Sequence, residues 1–204
     1  MKAIVNVNRH WGIGREGDLL TVIPEDMKFF RKATAAKIVI MGRKTLDSFP
    51  GMKPLPGRVN LVLTSDPERI KPVSREAADA FFPDIASESG RQRLDELTRR
   101  VLDSPQLKAS ERPTVLASAR RIEDVLDFCS SYQEDDIYVI GGASIYKKML
   151  PYCTSCLVTV NDCEILPDTW FPNLDATDGW KRSVKGEEKE YEGIHYRFDT
   201  YVKA

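Results

Sequence analysis

Short β-branched runs recur along this chain with helix-length segments between them, and that alternation constrains the fold more than any other feature. The runs fall at 3–7, 37–41, 59–64, 114–117, 137–140 and 157–160, each about the length of an ordinary strand. The segments between them predict four helices. One opens at Pro24, where a missing N–H costs nothing, and carries Met27, Phe30 and Arg31. A second follows Gly42. A third is capped by Ser118 and shows Ile122, Val125, Leu126 and Cys129 on one face, and a fourth follows Gly142 and stops before Pro151. Strands alternating with helices predict an α/β fold on a mostly parallel sheet. Two last runs, 180–185 and 195–201, have no helix between them and predict an antiparallel edge.

Residues 66–112 break the pattern. They are rich in charge and carry Pro67, Pro72, Pro83 and Pro105. Leu94, Leu97, Val101 and Leu102 have amphipathic spacing, so the stretch reads as a helical insertion in a single domain spanning 1–204.

Charge excludes some classes of partner. Lys and Arg number 30 and Asp and Glu 31, a net charge of -1, which gives no global field for nucleic acid or a membrane surface. No stretch approaches the roughly 18 apolar residues of a spanning helix. The opening Met1–Asn6 reads as a strand, too short and polar for a secretion signal. Cys129, Cys153, Cys156 and Cys163 are too sparse for a disulfide scaffold and fit a reducing cytoplasm. Cys153 and Cys156 form one CxxC, but His10 and His195 lack the spacing of further zinc ligands, so no metal is expected.

Four constellations carry chemistry. In Ile23-Pro24-Glu25-Asp26-Met27-Lys28-Phe29-Phe30 the carboxylate of Asp26 stands in the first turn of a helix beside the apolar Met27, Phe29 and Phe30. Asp26 either complements the helix dipole or faces a pocket, where a carboxylate accepts two parallel N–H bonds from a planar heterocycle. In Val39-Ile40-Met41-Gly42-Arg43-Lys44-Thr45 a strand turns through glycine into a helix start with two cations, which is either a tight turn or a phosphate site. Val139-Ile140-Gly141-Gly142-Ala143-Ser144-Ile145-Tyr146 repeats the device with paired glycines. It is not the GxGxxG fingerprint of a Rossmann fold. Two such starts can aim at one diphosphate. Finally, Pro54-Leu55-Pro56-Gly57 stiffens a turn from which Arg58 emerges, either as a surface side chain or as a bidentate clamp for a carboxylate.

Taken in order, Gly12-Ile13-Gly14, Ile23-Pro24-Glu25-Asp26, Met41-Gly42-Arg43-Lys44-Thr45, Leu55-Pro56-Gly57-Arg58 and Ile140-Gly141-Gly142 resemble the dihydrofolate reductase family, over 1–65 and from about 114 onward. The resemblance implies an eight-stranded mixed, mostly parallel sheet flanked by helices. It implies a monomeric, cytoplasmic oxidoreductase passing hydride from NADPH to C6 of 7,8-dihydrofolate. Asp26 would then hold the pterin and help water protonate it, with Thr21 and Thr159 in its water network. Val5 and Ile140 would offer backbone carbonyls, Met27, Phe30, Phe49 and Leu55 would line the slot, and Arg58 would clamp the tail carboxylate. Asn6, Ile13, Gly14, Leu19, Gly42, Arg43, Lys44, Thr45, Thr64, Ser65, Gly141, Gly142, Ala143, Ser144, Ile145 and Tyr146 would surround the cofactor. The loop 9–22 would close over it.

Two departures stand out. The family's usual Leu-Pro-Trp is Leu19-Leu20-Thr21 here, and Asn6 stands where a small apolar residue is usual. The missing indole leaves two other readings open. One is a reductase of the same fold acting on a different heterocycle, such as the pyrimidine reductase of riboflavin synthesis. The other is a catalytically weak folate- or NADPH-binding protein.

Overall fold

A computed structural model describes residues 1–204. Its elements in chain order are β1 (Lys2–Asn8), β2 (Gly12–Arg15), β3 (Asp18–Leu19), α1 (Pro24–Ala33), β4 (Ile38–Gly42), α2 (Arg43–Ser48), β5 (Val59–Leu63), α3 (Pro72–Glu76) and β6 (Ala80–Phe82). There follow α4 (Arg91–Leu102), β7 (Val115–Ala119), α5 (Ile122–Cys129), β8 (Ile137–Gly141), α6 (Ala143–Met149), β9 (Ser155–Asn161), β10 (Thr169–Trp170), β11 (Trp180–Val184), β12 (Lys189–Tyr191) and β13 (Ile194–Lys203).

All eight expected strands form, but the main sheet has ten, in the order β11-β13-β9-β1-β8-β4-β5-β7-β6 with β12 pairing β13. The added members are β6, a three-residue edge strand inside the expected insertion, and β12, which folds back on the long β13. Both are too short to give a periodic signal. Strands β9 to β6 run parallel, and β11, β12 and β13 make the antiparallel edge.

Strand alternation sorts side chains onto two faces. On β4, Ile38 and Ile40 enter a large core cluster while Val39 and Met41 enter a smaller one. Helix α4 seats Leu94, Leu97 and Val101 in the large cluster, so the insertion is packed into the body. Helix α5 starts at Ile122 rather than at Ser118, which lies buried in β7 with its hydroxyl donating to the Pro83 carbonyl. Phe171 is a core residue, whereas its neighbour Trp170 is exposed.

One irregularity makes the cleft. β1 pairs with β9 along its whole length, Lys2 to Asn8, but with β8 only at Lys2 and Ala3. Beyond Ala3 the two central strands part. The Ile4 carbonyl, which sheet pairing would otherwise engage, accepts the Tyr146 phenol at 2.7 Å.

Candidate active site

Asp26 is the buried residue of α1, in the helix's first turn against β1 and β9. Asn6 on β1 and Thr159 on β9 are register partners in the parallel ladder, and both reach Asp26 from the same side. The Thr159 hydroxyl donates to Oδ1 at 2.6 Å, and the Asn6 amide donates to Oδ2 at 2.9 Å. Burial raises the Asp26 carboxyl above the ordinary Asp range, and the Thr159 and Asn6 bonds pull it part of the way back. Each oxygen keeps one lone pair, enough for two parallel N–H bonds from a planar ring.

Thr159 touches Asp26 directly. The Asn6 side chain is committed to Asp26 and to Asn161. Thr21 is half-buried just before α1 and makes no side-chain hydrogen bond.

Arg58 is buried, not a surface side chain. Its Nε donates to the Thr34 carbonyl and hydroxyl, one Nη to Pro56 and the other to Arg31. Thr34 and Arg31 belong to the last turn of α1, where carbonyls lack helical partners. Arg58 thus caps the end of the helix that carries Asp26 at its start. Ten residues span about 15 Å, which sets the two groups at opposite ends of one rod. Desolvation, with Arg112 and Arg31 nearby, lowers the guanidinium to about 10, so it stays a cation at neutral pH. Two of its five N–H donors remain free of protein partners, and no carboxylate pairs with it. The turn before Arg58 is locked by buried Asn60, whose amide holds both the N–H and the carbonyl of Leu55.

Between these two charges lies an apolar wall. Phe30, Phe49 and Leu55 are half-buried against the smaller core cluster, and Met27 is half-buried on α1. Val5 and Ile140 sit on the two parting strands.

The two glycine-turned helix starts meet. A Cβ at Gly42 would stand 3.0 Å from Ile145 of α6, and one at Gly142 would stand 3.4 Å from the Thr45 hydroxyl of α2. Gly141 has φ +118°, and a Cβ there would press on the Tyr146 ring at 3.0 Å. Tyr146, expected beside the cofactor, is buried behind this turn. The cations at α2 differ: Arg43 pairs with Asp47 at 2.7 Å, while Lys44 is exposed and makes no ion pair. Ala143 and Ser144 open α6 at the surface side of the turn.

At the end of β5, the Thr64 hydroxyl is tied to the Asp66 backbone, and the exposed Ser65 offers its carbonyl to Arg120 at 3.0 Å. Arg120 was not singled out from sequence. Its signal was its place directly after a strand end, the position shared by the other candidate phosphate contacts. Asn161 was missed too, although it stands two residues beyond Thr159 on the same strand face.

The loop 9–22 is not irregular. β2 pairs with β3 and with β10 in a small three-stranded sheet. Ile13 and Gly14 lie in β2, and the exposed Leu19 in β3. Asp168 accepts the Glu16 N–H at 2.7 Å, tying the loop 9–22 to the segment before β10. Trp11 anchors the loop's base, stacked on Phe171.

The dihydrofolate reductase family model matches residues 1–83 and 101–203, so the internal gap is 84–100, narrower than 66–112. The dihydrofolate reductase of Bacillus subtilis is 31% identical over 193 residues, covering 94% of this chain and 87% of that protein. That of Mycobacterium tuberculosis H37Rv is 31% identical over 196 residues, covering 94% and 91%. Among solved structures, Enterococcus faecalis dihydrofolate reductase complexed with NADP(H) and RAB-propyl aligns with a TM-score of 0.69 at 22% identity, covering 99% of this chain and 95% of that one.

Proposed function

This chain belongs to the dihydrofolate reductase family, and from that premise we propose how its cleft reduces 7,8-dihydrofolate to tetrahydrofolate with NADPH. One observation carries the assignment of roles: a buried carboxylate in the first turn of α1 is held by a neutral donor on each oxygen, one from β1 and one from β9. Anionic Asp26 accepts two N–H bonds from the pterin edge and fixes the ring's plane. Its charge, acting in a site of low dielectric, favours the ring carrying a proton at N5, the form that accepts hydride at C6. Burial shifts its carboxyl upward, the direction that suits a group handling a proton. Backbone carbonyls of Val5 and Ile140 receive the ring's amine where β1 and β8 no longer bond each other. Met27, Phe30, Phe49 and Leu55 bury the benzoyl portion. The two uncommitted donors of Arg58 take the tail carboxylate, the partner this guanidinium lacks within the protein.

Bound NADPH supplies the hydride. The paired glycine turns fit a close-lying diphosphate, because side chains at Gly42 and Gly142 would fill the space between α2 and α6. Thr45, Ala143, Ser144 and Ile145 surround that space. Lys44, Arg43, Thr64 and Ser65, with Arg120 beside them, offer cations and hydroxyls to the 2′-phosphate. Ile13, Gly14 and Leu19 belong to the loop that closes over the nicotinamide and excludes water.

No helix is long and apolar enough to cross a membrane. All four cysteines are free thiols, which supports a reducing, cytoplasmic setting. The proposed working unit is one domain acting as a monomer on a small molecule, without a nucleic-acid partner. The test is loss of NADPH absorbance on adding dihydrofolate, with NADH as control. Oxidation of NADPH dependent on dihydrofolate is expected. Its absence in folded protein that still binds NADPH would overturn the reading.

A further inference from the structure

Asn6 does not act alone. Its side-chain oxygen accepts Nδ2 of Asn161 at 2.7 Å, and its own Nδ2 donates to Asp26 at 2.9 Å. An amide has two nearly isosteric ends, so something must decide which end meets the carboxylate. Asn161 decides it. Its Nδ2 also donates to the Val7 carbonyl at 3.0 Å, and its Oδ1 accepts the Cys163 N–H at 2.9 Å. Asn161 is buried and cannot turn over without setting oxygen against oxygen at Val7 and N–H against N–H at Cys163. With Asn161 fixed, a flipped Asn6 would put its oxygen against the Asp26 carboxylate and its N–H groups against those of Asn161.

We propose that Asn6 and Asn161 form a positioning relay for Asp26, in which Asn161 fixes the Asn6 amide so that it gives an N–H to Oδ2 and leaves the carboxylate's open lone pairs facing the substrate. The proposal rests on the reading that Asp26 grips the pterin.

The chemistry explains why an amide serves here. A lysine or arginine at position 6 would stabilise the carboxylate but would also repel a protonated ring. A neutral N–H stabilises the anion and leaves its charge for the ligand. No charged group nearby does the same work. Glu25, next to Asp26 on α1, is engaged by Lys189 of β12 and Tyr196 of β13. The phenols of Tyr146 and Tyr196 are themselves raised, first by burial and in small part by Asp26's own charge. Thr159 on β9 supplies the other neutral donor.

Asn6→Ala, Asn161→Ala and the double variant test the relay in the full chain. The primary readout is the titration midpoint of the Asp26 carboxyl carbon, followed by 13C NMR without ligands and assigned with Asp26→Asn. Melting temperature and NADPH binding report folding. The midpoint should rise by about half a pH unit or more in Asn6→Ala. Asn161→Ala should shift it the same way, and the double variant no further than Asn6→Ala, because both changes remove one N–H. The pH profile of hydride transfer should move with it. Additive shifts would overturn the relay, and so would an unmoved midpoint in folded Asn6→Ala. Should Asn6→Ala fail to fold, Asn6→Leu, which keeps the side chain's size without an N–H, carries the same expectations. Midpoint shifts in a protein that never oxidises NADPH with dihydrofolate would overturn the functional reading while leaving the relay standing.

Discussion

At the scale of single residues, Asp26 sets function against stability. Its native pKa is raised, so the folded chain holds that proton more tightly than the unfolded chain does. The linkage follows: relative to Asp26→Asn, the wild type should lose stability as pH rises from the ordinary value of 3.8 through the raised native one, and should regain it below 3.8. Melting curves of both proteins across that range check the sign. In the same variant, turnover at neutral pH should fall by about 10²–10⁴-fold while NADPH still binds. Arg58 couples two jobs in one side chain. Arg58→Lys keeps a cation but cannot cap Arg31, Thr34 and Pro56 together. It should cost roughly 1–3 kcal/mol in urea unfolding and raise KM for dihydrofolate more than it lowers kcat.

At the scale of elements, the hairpin of β2 and β3 pairs with β10, and its turn is tied to the segment before β10 by the Glu16 N–H, which donates to the Asp168 carboxylate. That bond leads the causes that hold the Asp168 carboxyl below its ordinary range. The tie is therefore present at neutral pH and is lost only as pH falls through the depressed value. Asp168→Ala should loosen the hairpin's turn while the β2–β10 pairing holds its base, and lower kcat, measured by steady-state and single-turnover kinetics, with little change in dihydrofolate binding. Helix α4 contributes differently. Leu94 is almost fully buried in the large core, so Leu94→Ala should cost about 2–5 kcal/mol by urea unfolding. KM and kcat should hardly move, because α4 contributes no residue to the cleft.

At the scale of the whole molecule, much of this design was legible in the sequence. Strands such as 37–41 and 137–140 were readable because burial on both faces demands unbroken apolar runs. The glycine turns were readable because bare backbone ends those runs, and Asp26 because it follows a helix-opening proline. Three things were not. The edge strands β6 and β12 have only three residues each, so the sheet rather than local propensity makes them. The start of α5 moved because Ser118, a good cap in isolation, found a buried partner on the insertion. The Asn6–Asn161 contact joins residues 155 apart, which no local pattern encodes. The most consequential of these long-range facts concerns α1, which carries Asp26 in its first turn and lends its last carbonyls to Arg58. The helix is a calliper whose jaws are set by its number of turns. A dihydropterin with no tail would engage only one jaw, so it should reach a similar maximal rate but need a much higher concentration to do so.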